Sequence, residues 1–420
     1  MGQNKQRPKR YYGWTITLTL AVTETISWGI IYYAFSVFIT PMETDLGWSR
    51  AELTGGFSLA LLVMGGMAFP VGTWIDKHGA RLLMTMGSIC ASLLVIAWSQ
   101  VTDLAGFYLI WVGLGICAAA VLYEPAFAVV ARWFVRQRGR ALAIITFAAG
   151  LASTIFIPLS DALMNAVGWR DAILILGIFL AVTTIPLHIL ILRRSPDDLG
   201  LLPDGDAITN EMRPVPASVS LGDAIHSRFF WLFTFAFSLS FLASAAIRVH
   251  FIPFLIDSGV DASTAALASG SIGIMQVAGR LIFAPLESRF STHAMVTGVF
   301  ALQSIAMFTL LLGPSALIIG LFLIIFGTSY GAKTLARAAA IADLFGSSHY
   351  GRISSVMSIF LTVAGTIAPV GAALIYDRTG SYNLVLWLIL VLAIASAVVM
   401  LFARPDHLRT IEMQSPAVSG

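Results

Sequence analysis

Glu24, Glu124, Arg248, Arg280, Lys333 and Arg337 all lie inside stretches that are otherwise apolar. A charge at the centre of a bilayer costs about 2.5–3.5 kcal/mol on insertion scales, so such groups face a partner or an aqueous path. Arg280 follows Gln276 by one helical turn, which puts both on one face. Trp28 and Tyr32 follow Glu24 at the same spacing, giving a polar and aromatic face unlike a lipid-facing one. Arg248 shares a face with Ser240 and Ser244 and has His250 nearby, while Tyr123 and Pro125 flank Glu124. Lys333 and Arg337 are a turn apart, and Arg337 is expected to snorkel toward a polar surface. His188, near the end of its apolar run, reads as an interfacial residue. Cations outnumber acids in this set, and the chemistry that suits is non-covalent capture of an anion. Glu24 either carries a coupled proton or pairs with Lys333 or Arg337. No nucleophile–base or metal-ligand constellation is present, so neither an enzyme nor a cofactor or metal is expected.

The elements that hold these residues follow from composition. The 420 residues are 58% hydrophobic and 11% charged, against about 25% charged in an ordinary soluble protein. So much apolar surface needs lipid as part of its solvent. Backbone polar groups in lipid are satisfied only in helices or closed barrels. A barrel needs alternating segments of about ten residues. Here the apolar runs are continuous and long enough for a helix to cross about 30 Å of hydrocarbon. Spans are expected near 14–40, 51–74, 82–99, 105–131, 141–163, 171–192, 229–256, 263–285, 293–312, 315–341, 353–376 and 383–403. Lys5, Arg7, Lys9 and Arg10 precede the first run, which is too long for a signal peptide and is read as a retained span.

With the N-terminus placed in the cytoplasm, eighteen of the 25 Lys and Arg residues fall on the cytoplasmic side, three outside and four in spans. That bias predicts both termini inside. The chain divides into an N-terminal tail 1–13, a six-helix lobe 14–192, a cytoplasmic linker 193–227, a second six-helix lobe 228–403 and a tail 404–420. Four prolines and several acids in the linker predict an irregular segment. A shift of about 211 residues superposes Ala51–Phe57 on Ala262–Ala268 and Asp76 on Glu287. One residue more aligns Arg138-Gly139-Arg140 with Tyr350-Gly351-Arg352, and Gly168-Trp169 with Gly380-Ser381. Two copies of one six-helix unit are the arrangement of a two-lobed secondary transporter. The fold class is therefore all-α polytopic, twelve transmembrane helices in two pseudo-symmetric bundles.

Gly72-Thr73-Trp74-Ile75-Asp76-Lys77-His78-Gly79-Ala80-Arg81 sits between spans 2 and 3. It resembles the G-x-x-x-D-[RK]-x-G-x-R signature of the major facilitator superfamily, and the resemblance covers the whole chain. Gly72 permits close helix approach and Gly79 a tight turn. Asp76 and Arg81, with Arg138 and Arg140, are expected to form a latch on the cytoplasmic side. The second copy, Ala284-Pro285-Leu286-Glu287-Ser288-Arg289, is degenerate, so the latch should be asymmetric.

Other stretches resemble the monocarboxylate and oxalate/formate porter branch. They are Tyr11-Tyr12-Gly13-Trp14, Trp133-Phe134, Gly168-Trp169-Arg170, Leu344-Phe345-Gly346, Tyr350-Gly351-Arg352 and Tyr376-Asp377-Arg378-Thr379-Gly380-Ser381-Tyr382. That branch has an Asp-x-x-x-Arg pair in span 8. The resemblance implies that Arg280 binds a substrate carboxylate, with Gln276 in the acid's place. Trp28, Tyr32, Tyr123, Arg248 and Lys333 would line the same path, since spans 1, 4, 7 and 10 line the cavity of this superfamily. Glu24 and Glu124 are the candidate proton carriers. The drug-exporter signature of span 5 is missing, the chain reading Gly150-Leu151-Ala152-Ser153-Thr154.

The expected function is secondary transport of a small organic anion, a monocarboxylate, by alternating access. It would be coupled to a proton or a counter-anion, in a monomer of a bacterial inner membrane, without nucleic acid. The alternative is an exporter of a toxic solute, in which Cys90 and Cys117 would serve a metalloid as thiol ligands. A membrane sensor would need a longer signalling tail than Arg404–Gly420.

Overall fold

The computed structural model describes residues 11–134, 136–205, 220–287, 289–345 and 350–403. The side chains of Asp76, Ala284, Pro285, Glu287, Ala338, residues 342–344 and residues 350–352 lie outside that description. Residues 1–10 and 404–420 of the expected tails, much of the degenerate second motif, and the Gly346 and Tyr350-Gly351-Arg352 stretches therefore lie outside it too. Among the described residues every regular element is helical.

Among the described residues twelve helices are long and apolar enough to cross a membrane. They are α1 Tyr12–Leu46, α2 Arg50–Ile75, α3 Ala80–Ser99, α4 Leu104–Trp133, α5 Arg138–Val167, α6 Trp169–Ile191, α7 Arg228–Asp257, α8 Ala262–Phe283, α9 Thr292–Leu310, α10 Ala316–Ile341, α11 Ile353–Thr379 and α12 Asn383–Phe402. All twelve expected spans are present, most of them longer by a few residues at their ends. The helices start and stop on local chemistry. The Asp103 carboxylate accepts from Gly106 N–H before α4, and Ser227 Oγ from Phe230 N–H before α7. Gly79 takes φ 81° between α2 and α3, a left-handed value that costs a glycine little.

Two helices depart from regular α geometry. In α1, Trp28–Tyr33 forms a π-helical turn in which Ala34 N–H reaches the Gly29 carbonyl at 2.8 Å. Such turns concentrate at functional sites. In α4, Leu122 is extended (φ −89°, ψ −159°), and the helix resumes at Tyr123 with Pro125 in its new first turn.

The described residues fall into two compact units. The first holds Met1–Ala34, Val63–Ala152 and Leu163–Glu211. Its core gathers Ile16, Leu20, Ala126, Val130, Trp133, Phe134 and Ile145 from α1, α4 and α5. Here α3 packs closely on α6. His188 is buried between them and bonds to Ser88 Oγ at 2.9 Å, so it is a packed residue rather than the interfacial one expected. Asp204 accepts from Arg136 N–H at 2.7 Å and Gln137 N–H at 3.2 Å, capping the start of α5.

The second unit holds Phe35–Leu62, Ser153–Ala162 and Met212–Gly420. Phe229, Phe230, Phe233, Phe237, Phe300 and Phe345 make an aromatic core near one end of α7. The expected irregular linker is only partly so. Pro196–Leu199 and Pro203–Gly205 are short 3-10 turns, and Leu221–His226 is a helix capped by Ser220.

Candidate functional site

Glycines let α8 and α10 approach until their backbones touch. A Cβ at Gly279 would collide with the Thr328 carbonyl, and one at Gly331 with the Gln276 carbonyl. Small residues at a helix interface permit such approach in lipid. Gln276 and Arg280 sit on α8 at this contact, 3% and 7% exposed. The Gln276 amide Nε2 finds no acceptor among the described residues.

On α10, Lys333 is 5% exposed and surrounded by neutral oxygens. Its Nζ donates to Ser244 Oγ at 2.6 Å, Ser240 Oγ at 3.1 Å, the Ser240 carbonyl at 3.3 Å and Gln303 Oε1 at 3.3 Å. Ser240 Oγ donates to Gln303 Oε1 at 2.5 Å, and Gln303 Nε2 donates to Ser244 Oγ at 3.0 Å. The cage therefore draws on α7, α9 and α10. Among the described residues no ion pair involves Lys333.

Arg248, one turn beyond Ser244 on α7, donates from Nε to the Ser244 carbonyl at 3.4 Å. Its guanidinium lies 4.7 Å from the centroid of the Tyr330 ring, and Lys333 Nζ lies 4.9 Å from the same centroid. Two basic side chains thus share one aromatic ring, whose negative face suits the charged form of each. Arg337 lies one turn beyond Lys333 and is half-buried.

In the first unit, Glu24 is fully buried on α1. Trp28 Nε1 donates to its Oε2 at 3.1 Å, while Oε1 has no partner among the described residues. Trp28 opens the π turn, and its ring packs 5.4 Å from Tyr32 and 5.0 Å from Tyr123. Tyr123 stacks on Phe127 at 5.0 Å. The break in α4 is what presents Tyr123 to Trp28. Glu124 is exposed. Glu24, Trp28, Tyr32 and Tyr123 thus form one cluster, which Glu124 adjoins in sequence.

The motif between α2 and α3 lies in the first unit. Arg81 Nε donates to the Ile189 carbonyl at 2.9 Å. Arg138 donates to the Phe134 and Ala131 carbonyls, capping the C-terminal end of α4. Arg140 lies 5.3 Å from the Trp14 centroid. A Cβ on Gly72 would meet open space, whereas one on Gly79 would press on the Arg194 side chain. The Asp76 side chain lies outside the described residues.

A charge network stands at the other end of α2, and sequence reasoning missed it. Arg50, 3% exposed, donates to Glu43 at 2.7 Å and to Asp257 at 2.7 Å. It also donates to Tyr382 Oη at 3.0 Å and stacks 4.1 Å over Tyr376. His250 joins through Nδ1, 2.8 Å from Tyr382 Oη, and through Nε2, 2.8 Å from the Pro369 carbonyl. Asp377 accepts from Ala51 N–H at 3.0 Å. The sequence placed Arg50 among topological surface charges. Its acids are 7 and 207 residues away, and only the shorter spacing was visible in the sequence. The cage partner Gln303 was missed as well, though a glutamine in an apolar run was the available signal.

Among the described residues no group of three His, Cys, Asp or Glu side chains could hold a metal. Cys90 is exposed and Cys117 buried.

Comparison with known proteins accounts for this architecture. The family model of the Major Facilitator Superfamily matches residues 20–335 and 251–418. The MFS-type transporter YcxA of Bacillus subtilis is 25% identical over 395 residues, covering 90% of this chain and 92% of that one. Monocarboxylate transporter 11 of Homo sapiens is 25% identical over 407 residues, covering 90% of this chain and 79% of that one. A solved bacterial homologue of the human lysosomal transporter Spinster shares the fold, with TM-score 0.70 at 14% identity, covering 98% of this chain and 100% of that one. Twelve membrane-crossing helices, cations buried within them and a family match running through both units together establish that the chain is an integral multi-pass membrane transporter belonging to the major facilitator superfamily.

Proposed function

We propose that this transporter moves a small organic anion, a monocarboxylate, by alternating access, with a proton or a counter-anion as the coupled species. The observation that carries this reading is the pair of basic side chains in the second unit. Arg248 and Lys333 approach one Tyr330 ring to 4.7 and 4.9 Å, and Arg280 is buried on the adjoining α8. A carboxylate is the natural partner of such groups, and a guanidinium can grip it with two parallel bonds. Similarity to monocarboxylate transporter 11 supports the substrate class. In this reading Arg280 binds the carboxylate and Gln276 orients it. Trp28, Tyr32 and Tyr123 are the substrate contacts that this reading gives the first unit. Gly72, Asp76, Gly79, Arg81, Arg138 and Arg140 form the cytoplasmic latch of a bacterial inner-membrane protein with both termini inside.

Proteoliposomes given a panel of labelled organic anions, with and without an imposed pH gradient, test the proposal. Transport of no anion from the panel overturns it. Arg280→Ala is expected to lower uptake by about a hundredfold, as loss of a charged hydrogen-bond partner does, with the protein still folded and inserted. Unchanged uptake by that variant removes Arg280 from the site.

A further inference from the structure

The cage around Lys333 has a property that a substrate contact alone does not need. An ammonium donates three hydrogen bonds, whereas a neutral amine donates two and accepts one. A carboxylate beside the nitrogen would fix it as the ammonium. The four contacts here come from two serine residues and one carboxamide. A serine hydroxyl rotates between accepting and donating, so Ser240 and Ser244 satisfy either form of the nitrogen. Among the described residues the charged groups facing Lys333 are cations. Arg248 comes from α7 and Arg337 from its own helix. Gln303 from α9 is neutral, and α8 brings Gln276 and Arg280 to the contact with α10. Among the described residues no ion pair supplies Lys333 with a negative charge.

We propose that Lys333 is the proton-coupling residue of the cycle, taking up one proton when the substrate carboxylate arrives. The idea rests on the anion-transport reading and specifies its coupling. A carboxylate drawn to Arg248 and Tyr330 brings a negative charge beside the Lys333 nitrogen. The ammonium is then favoured over the amine, and by linkage the proton favours the anion equally. The balance is simple. One carboxylate and one proton join the protein with its amine, giving an ammonium beside a carboxylate, and both leave together on the other side. The buried acid Glu24 needs no protonation change in this scheme.

Proteoliposomes tested with radiolabelled lactate and pyruvate decide the matter through two readouts, exchange and accumulation. With one proton per anion, an inward gradient of one pH unit drives about tenfold accumulation in the wild type. Lys333→Arg, permanently charged, should keep a measurable though slower exchange of labelled for unlabelled anion and accumulate none, and Lys333→Gln, permanently neutral, should be weakened in both readouts. Tenfold accumulation by either variant overturns the proposal. Should neither variant fold, Ser244→Ala reads the same point by removing the 2.6 Å acceptor. It should shift the pH profile of accumulation to lower pH, and an unshifted profile counts against the idea. A wild type that exchanges without accumulating sinks the coupling role and leaves anion transport standing. A wild type that does neither sinks both.

Discussion

Arg50 and Asp257 stand 207 residues apart in the chain and 2.7 Å apart in space. That bond fastens the start of α2 to the end of α7, and Tyr382, reached from the same guanidinium, adds the start of α12. Gly47, at φ 68° between α1 and α2, turns the chain so that Glu43 closes on Arg50 from the other side. Arg50→Ala leaves both carboxylates without their shared cation. Their partly exposed positions let water screen some of the loss, so a cost of about 2 kcal/mol is expected. Thermal unfolding of the detergent-solubilised protein measures it. Arg50→Lys should recover only a fraction, because an ammonium lacks the planar fork that serves three partners. An Arg50→Lys variant as stable as the wild type would show that charge alone matters.

The α8–α10 contact makes a second prediction. Gly279→Ala and Gly331→Ala each drive a methyl into a backbone carbonyl, which cannot swing away as a side chain can. Overpacking of this kind costs about 1–3 kcal/mol or more. Gly298→Ala and Gly320→Ala place the same methyl in open space. Size-exclusion profiles of the four variants should separate into two that lose monodisperse protein and two that match the wild type.

Glu24 offers a third. Glu24→Gln keeps an oxygen for Trp28 Nε1 and removes the charge. If Lys333 carries the proton, this variant retains pH-driven accumulation. Its Michaelis constant is expected to stay within about twofold of the wild type, because the bond that holds Trp28 against Tyr123 is kept. Loss of accumulation with exchange intact would move the coupling role to Glu24.

Outside the membrane, Tyr11 responds to pH. Its hydroxyl donates to the Trp133 carbonyl at 2.7 Å. Burial first, and the Asp204 carboxylate second, push its titration from 10.0 up to about 12. The fold therefore favours the neutral phenol. That contribution is complete below pH 10 and disappears as pH rises through about 12. Tyr11→Phe should melt below the wild type at pH 9, and the gap should close as the pH climbs through this window.

Much of this was legible in the chain itself. Hydropathy marked out twelve spans because lipid leaves the backbone no other arrangement. The intramembrane charges were legible for the same reason, since Lys333 and Arg280 are conspicuous in apolar runs. Their partners were not. Ser240, Ser244 and Gln303 meet Lys333 only because α7, α9 and α10 come together, and helical periodicity reports one helix at a time. Arg50 shows the converse. At the mouth of a span its sequence surroundings look like those of any topological charge, and only Asp257 and Tyr382 reveal otherwise. The left-handed Gly79 stood in a recognisable motif, whereas the break at Leu122 carried no residue that demands it beyond Pro125 three positions later.

The π turn at Trp28–Tyr33 changes how α1 must be drawn. One additional residue in a turn rotates everything beyond it by about 100° relative to an unbroken helix. A helical wheel drawn from Tyr12 therefore assigns the wrong faces to Phe35, Phe38 and Met42, all of which are buried. Two wheels are needed, one ending at Ser27 and one starting at Phe35, with a phase slip between them. Any alignment or graft that deletes a residue within 28–33 would restore a single phase. Either Glu24 or Glu43 would then lose the face it now occupies.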